Sequence, residues 1–392
     1  MTTTPAEPLP ADGTARDTTP SVCPVTGVVG SGITRTTTPT GDSAWLATGY
    51  DLVRDLFTDP RLGRSHRTPE TAPRLGESAF SGGPIGNFDT ELDDHARMRT
   101  LLQPHFSPKR MRELRPRVEQ LTTELLDAME DQGPPADLQA ALALPLPLLV
   151  ICELLGVPYA DRNRFRDWVD AVGNVADRAK VEQGVAELFA YCLHLVGRKR
   201  RDPGDDVVSR LCAVDGVTDD EIATHAMVLL FAGHETSAVQ IGVGIRMLLE
   251  NPAQFQLLHE RPDLVASAAE ELLRACNASS LPRYARHALT IGDTDIAPGD
   301  LVLLGVASAN HDRTTFTHPD RVDITRQESA HFMFGYGPRY CLGAPLARLE
   351  LQIAFSQLVT RFPTLAFAVD PATLTERDDI FTGGLTALPV RW

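Results

Sequence analysis

Apolar and polar residues alternate with a helical period over most of this chain. From Asp93 to about Ala275 the period persists with short breaks, which predicts a series of helices. The clearest begins at Thr218, where Thr218-Asp219-Asp220-Glu221 reads as a capping box with acids at the positive end of the helix dipole. Apolar positions then continue to Leu249, ahead of Asn251-Pro252. That is about 32 residues, or about 48 Å at 1.5 Å per residue, enough to cross a whole domain.

A second helix is expected from about Pro262 to Cys276, and another opening at Pro345 and running to about Phe362. Nearer the N-terminus, Ala44–Thr48 reads as a short strand and Tyr50–Thr58 as a short helix stopping before Asp59-Pro60. Leu289–Ile291, Thr294–Ile296 and Leu301–Leu304 read as strands separated by Gly292 and by Pro298-Gly299. Residues 66–90 hold Pro69, Pro73, Pro84 and Gly82-Gly83, a long irregular loop of the kind that often serves function. Residues 306–340 are expected to be mostly irregular, and 364–392 to form short strands around Gly383-Gly384. Residues 1–40 read as a flexible tail and lead-in segment, and 41–392 as one domain. The predicted fold is mainly α with a small β portion, an α+β arrangement.

Charge narrows the function by exclusion. Fifty-two acidic residues against 37 basic ones leave a formal charge of −15. A nucleic-acid binder needs a basic footprint, so no nucleic-acid partner is expected, although a local basic patch could still face an acidic protein. Met1–Pro20 has no apolar stretch, and the long apolar, uncharged stretch Leu138–Cys152 is too short to span a bilayer and contains Pro145 and Pro147. No membrane attachment and a cytoplasmic location are therefore expected. The six cysteines form no Cys-x-x-Cys pair and fit a reducing compartment. Five of them read as small buried hydrophobes. Cys341 does not.

Cys341 stands in Phe334-Gly335-Tyr336-Gly337-Pro338-Arg339-Tyr340-Cys341-Leu342-Gly343. Glycine lets a backbone turn sharply and approach a flat ligand closely. Ala344-Pro345 starts a helix directly afterwards, and a helix N-terminus favours negative charge and lowers a thiol pKa. The segment is built to hold a thiolate.

This segment resembles the haem-binding loop of the cytochrome P-450 family in its soluble bacterial form. The resemblance extends over nearly the whole chain after residue 44, including His331-Phe332-Met333-Phe334 before the loop and Gly343-Ala344-Pro345-Leu346-Ala347-Arg348 after it. Arg339 departs from the histidine usual in bacterial members, but arginine occurs there in many others. The resemblance implies a helical fold enclosing haem b between a long central helix and the cysteine loop. Cys341 would be the axial iron ligand, with Phe334, Gly335 and Gly343 against the cofactor. A thiolate ligand pushes electron density onto iron and favours O–O cleavage.

Phe231-Ala232-Gly233-His234-Glu235-Thr236-Ser237 lies in the middle of the long helix. A helix interior disfavours glycine by about 1 kcal/mol relative to alanine, so Gly233 needs a reason, such as close approach of a planar ligand or dioxygen. A buried acid beside a hydroxyl can relay protons. The bland alternative is an exposed Glu and a Thr bonded back to a carbonyl one turn earlier. The stretch resembles the family's acid–alcohol motif, which makes Glu235 and Thr236 the catalytic candidates and sets Ala232 and Gly233 beside the cofactor. His234 takes no role.

His95 and Arg99, at i and i+4, share one helix face, and Arg283 opens a β segment. With Arg339 they resemble the family's donors to the haem carboxylates. Glu271 and Arg274 resemble its Glu-x-x-Arg motif, with Arg326 as the expected third partner and Arg321 the weaker candidate. The segment Ala275–Leu281 lacks the proline often seen there.

The expected activity is that of a haem-thiolate monooxygenase acting on a mid-sized organic molecule in specialised metabolism, with dioxygen and with electrons from a ferredoxin and its reductase. The same haem chemistry could instead serve oxidative coupling or ring closure, or the chain could be a haem-thiolate sensor. Residues 80–90, Leu230, Phe231, Ala278–Leu281 and Phe381–Thr382 are the expected pocket. Arg97, Lys109, Arg110, Arg112 and Arg348 are the expected basic face for the ferredoxin.

Overall fold

The computed structural model describes residues 31–392 apart from 162, 278, 279 and 329. Residues 1–30, read as tail and containing Cys23, lie outside the described residues. In chain order the helices are α1 (Tyr50–Thr58), α2 (Glu91–Leu102), α3 (Pro108–Gln132), α4 (Pro145–Leu155), α5 (Asn163–Gly173), α6 (Arg178–Arg201), α7 (Val207–Cys212), α8 (Asp219–Glu250), α9 (Pro252–Glu260), α10 (Val265–Ala275), α11 (Val306–Asn310) and α12 (Ala344–Arg361). The strands are β1 (Gly32–Thr37), β2 (Ser43–Thr48), β3 (Leu62–Gly63), β4 (Ala136–Asp137), β5 (Leu281–Ala285), β6 (Leu289–Ile291), β7 (Thr294–Ile296), β8 (Leu301–Leu304), β9 (Ala366–Phe367) and β10 (Pro389–Arg391). The expected α+β outline holds.

Helix α8 is the axis of the helical part and packs on α4, α6, α10 and α12. Its N-cap is as the sequence indicates, with Thr218 Oγ1 accepting the Glu221 N–H at 3.2 Å. The return half of the box is absent, because Glu221 pairs with Arg97 on α2 at 2.6 Å. By length and composition α8 could cross a membrane, but 67% of its apolar window is buried inside the protein. It is a core helix.

The main sheet has the order β1-β2-β8-β5-β3, with β2 parallel to β8 and the other pairs antiparallel. The period-two pattern of β8 is buried on both faces: Val302 and Leu304 pack toward α1, while Leu301 and Leu303 pack with Tyr284. Arg283 lies opposite Val302, which turns its side chain inward, over the ring of Phe57 on α1.

Three sequence expectations change. Residues 32–37, assigned to the lead-in segment, form strand β1 on β2. Helix α11 arises where no element was expected, and β5 starts at Leu281, two residues ahead of the β segment expected to open at Arg283. Gly383-Gly384 carries no strand; the pair forms a turn with φ of +66° and +94°, flanked by a lone pairing of Glu376 with Leu385.

Candidate active site

The cysteine loop is folded back on itself by backbone bonds. Gly335 N–H donates to Phe332 O and Cys341 N–H to Phe334 O, each at 2.8 Å. Gly335 and Gly337 have φ of +69° and +71°, where side chains are disfavoured, and a Cβ on Gly337 would stand 2.6 Å from Thr58 Cγ2. Cys341 lies deep in the protein yet faces open space, between buried Phe332 and buried Ala344. That combination marks the wall of an interior cleft. Burial pushes the thiol up, while the amides of Gly343 and Ala344 at the start of α12, then Arg348 and Arg99, pull it down. These are the groups that stabilise sulfur once it carries negative charge.

On α8, Ala232 and Thr236 are exposed, one turn apart, while Phe231, His234, Glu235 and Ser237 are buried. A cleft thus opens on the middle of an otherwise buried helix. Thr236 donates to Ala232 O, the bland arrangement for a helical threonine. Glu235 does not follow the bland pattern. It is 2% exposed, and burial pushes its carboxyl up to about 7 against the pull of Arg377. The Arg377 guanidinium is 3.6 Å from Oε1, and the Thr382 hydroxyl donates to the same oxygen at 3.4 Å. A carboxyl balanced near neutrality can both take up and release a proton at physiological pH.

Gly233 has a different reason from the one the sequence suggests. A Cβ there would lie 2.8 Å from Ile151 Cδ1 on α4. The missing side chain lets two helices cross closely. His234 is also turned to α4, its Nε2 donating to Leu144 O at 3.2 Å.

The expected carboxylate donors converge, with additions. Arg99 donates to Tyr340 O at 2.8 Å, tying α2 to the cysteine loop. Arg339 pairs with Glu91, which also accepts from Arg286 at 2.7 Å and from the Arg64 N–H at 2.7 Å. Burial pushes His95 down to about 4, helped by Arg339 and Arg99. Burial also brings Arg283 down to about 9, with Arg64 and Arg339 adding repulsion, and Arg64 down to about 10. Arg64 Nε is buried with no hydrogen-bond partner. Among the described residues, the cations of this cluster thus outnumber its one carboxylate, Glu91. The cluster fits a ligand bringing additional negative charge, as the two propionates of haem do.

Sequence reasoning missed Arg64 and Arg377, which approach the site from distant segments, and Glu91, which shares α2 with His95 and Arg99. It also missed Glu350 on α12. That residue is fully buried; burial pushes its carboxyl up to about 8 against the Ser237 hydroxyl, and neither oxygen completes a hydrogen bond. A charge at the helical spacing of Leu346, Leu349 and Ile353 was the available signal. Of the expected pocket, the Phe80 and Phe231 rings meet at 4.9 Å, and Thr382 reaches Glu235. Ala278 lies outside the described residues.

The Glu271 carboxylate joins Arg274 at 2.8 Å and Arg326 at 2.9 Å, as expected, whereas Arg321 contributes a backbone carbonyl to Arg274. Of the basic face, Arg97 is committed to Glu221 and Arg348 to Glu270 at 2.6 Å and to Tyr340. Lys109 and Arg110 are paired likewise, with Glu113.

A helical fold with a cysteine thiol at a helix start, a buried acid beside an alcohol and a buried cation cluster defines a haem-thiolate protein. A family model for cytochrome P-450 matches residues 197–385. The chain is 41% identical to pentalenolactone synthase of Streptomyces exfoliatus, covering 89% of this chain and 90% of that protein. It is 38% identical to nocardicin C N-oxygenase of Nocardia uniformis subsp. tsuyamanensis, covering 90% and 91%. Among solved structures, the mycinamicin VIII C21 methyl hydroxylase MycCI of Micromonospora griseorubida superposes with a TM-score of 0.84 at 33% identity, covering 93% and 94%. The chain belongs to the cytochrome P-450 family: it is a haem-thiolate monooxygenase acting on a small organic molecule with dioxygen. Its similar proteins are named as enzymes, which sets the sensor alternative aside.

Proposed function

We propose that residues 41–392 act as one catalytic domain, in the cytoplasm, that oxidises a mid-sized organic substrate of specialised metabolism by oxygen insertion. The similar proteins are named as a synthase, an oxygenase and a hydroxylase of such compounds, which supports the substrate class. In this reading Cys341 holds the iron, and His95, Arg99, Arg283, Arg339 and, in addition, Arg64 surround the haem carboxylates. Phe334, Gly335, Gly343 and Ala232 lie against the cofactor. When bound, the haem supplies dioxygen activation at a thiolate-ligated iron. Glu235 carries protons from the Arg377 side of α8 to the cleft, and Thr236 passes them on by letting go of Ala232 O. The Phe80–Phe231 contact keeps bulk water from this path.

The observation that carries the reading is Glu235, buried on the helix beside exposed Thr236 and balanced near pH 7. Its test is Glu235→Gln. Haem and substrate binding should persist while product formed per reductant consumed falls several-fold. Unchanged yield would remove the acid from the proton path.

Electrons arrive from an acidic ferredoxin and its reductase, at the start of α3. Lys109, Arg110 and Arg112 are clustered there, and Arg112 is exposed with no ion pair among the described residues. Opposite charges across a rim raise the on-rate and make it salt-sensitive. Reduction rates should fall with ionic strength more steeply in the wild type than in Arg112→Glu.

A further inference from the structure

Arg377 stands where three segments meet, and three carboxylates share it. Its guanidinium lies 3.2 Å from Asp170 on α5, 3.5 Å from Asp379 in its own loop, and 3.6 Å from Glu235 on α8. Asp170 is therefore the nearest partner, and Glu235 holds the longest contact. The other polar groups facing Glu235 are Thr382, at 3.4 Å, and His234 of the same helix, whose Nδ1 is 3.8 Å from Oε2. The neighbouring Glu376 is occupied by Arg246 at 3.0 Å.

The segments that bring these groups together are joined by backbone bonds. Val175 N–H donates to Asp379 O and Phe381 N–H to Gly173 O, and Asn174 pairs with Ile380. On the other side, Glu77 N–H donates to Val175 O and Ala79 N–H to Val172 O. The end of α5 is thus clasped between the loop over Phe231 and the C-terminal loop carrying Arg377. Helix α5 is held as well by its own packing, with Phe165, Trp168, Val169 and Val172 buried in the core.

We propose that Arg377 is a positioning residue that sets the proton affinity of Glu235, through the share of its cation that Asp170 takes. With α5 docked, Asp170 takes the larger part of the cation and adds its own negative charge, so Glu235 keeps its proton. Without the Asp170 charge, Arg377 would turn to the remaining carboxylates, and the ionised form of Glu235 would be favoured. Nothing forms or breaks here but one O–H bond, the proton exchanging with solvent.

This rests on Glu235 as the proton donor, and its test can fail separately. The protonation of Glu235 is read from its carboxyl band in infrared difference spectra, wild type against Glu235→Gln, titrated with pH in the ferric resting protein. Arg377→Gln should shift the midpoint up and Asp170→Asn should shift it down, each by about one pH unit, a tenfold change in proton affinity. Arg377→Lys should restore most of the wild-type midpoint. Circular dichroism and the haem spectrum serve as folding controls, and Asp170→Asn keeps the test available if Arg377→Gln does not fold. Midpoints that stay put, or that move in the same direction in both variants, overturn the proposal. An unchanged product yield in Glu235→Gln would instead overturn the proton-donor reading, leaving the opposite shifts as evidence about Arg377.

Discussion

Thr236 donates its hydroxyl to the carbonyl oxygen of Ala232, 2.8 Å away and one turn back along α8. The hydroxyl is satisfied inside its own helix and holds no other element in place. Thr236→Ala should therefore change stability by no more than about 0.5 kcal/mol, as for surface substitutions generally. It should still bind haem and consume reductant, but with less product and more hydrogen peroxide, and Thr236→Ser should retain most of the yield. Measuring product, peroxide and reductant together decides this. Equal yields in wild type and Thr236→Ala would take the hydroxyl out of the proton path.

Gly233 tests whether packing on α4 or space for a ligand explains a glycine in mid-helix. A Cβ at 2.8 Å from Ile151 Cδ1 overpacks the crossing. Gly233→Ala should cost about 1–3 kcal/mol, the usual range for overpacking. Adding Ile151→Val removes the closest atom and should recover part of the loss, read as a rise in melting temperature over the single variant. No recovery would mean that α4 is not the constraint.

Arg64 makes the charge balance of the cation cluster testable. It is buried, pushed down to about 10, and its Nε lacks a partner. Arg64→Met should speed haem transfer to apomyoglobin by about tenfold, the factor that corresponds to 1.4 kcal/mol. The haem-free chain should meanwhile be no less stable, because a buried cation among like charges has been removed. Arg286→Met, whose cation is held by Glu91 at 2.7 Å, should affect haem transfer less. Equal haem loss in wild type and Arg64→Met would exclude Arg64 from cofactor binding.

Glu350 sets a pH dependence of stability. Its folded pKa of about 8 lies above the ordinary value of 4.5, so the folded chain binds a proton that the unfolded chain releases. Stability is then highest below about pH 4.5 as far as this group is concerned, and declines as pH rises toward 8. Glu235, raised to about 7, adds a slope of the same sign over a narrower window. In thermal melts on a Glu235→Gln background, Glu350→Gln should flatten the decline between pH 5 and 8. A slope that survives both substitutions would place its origin elsewhere.

Much of the site was legible in the chain because its signals are local. Cys341 with its glycines, Glu235 beside Thr236, and Glu271 with Arg274 lie within a few residues of one another, and one turn of backbone fixes their relation. The span of α8 was legible for the same reason, since capping and period are properties of neighbouring residues. Arg326 was reached only through the resemblance, yet Glu271 holds it at 2.9 Å.

What the sequence alone determined is therefore local: a cysteine at a helix start, an acid beside an alcohol, and a fold rich in helices around them. Only the tertiary structure decided the setting of that chemistry. It turned Gly233 to Ile151, brought Arg64 and Glu91 to the cations, and set Arg377 between Asp170 and Glu235. The physical reason is that charge and burial act through space. Whether Glu235 keeps its proton depends on the dielectric around it and on cations from the far end of the chain, and no spacing along the backbone encodes which segments will pack there.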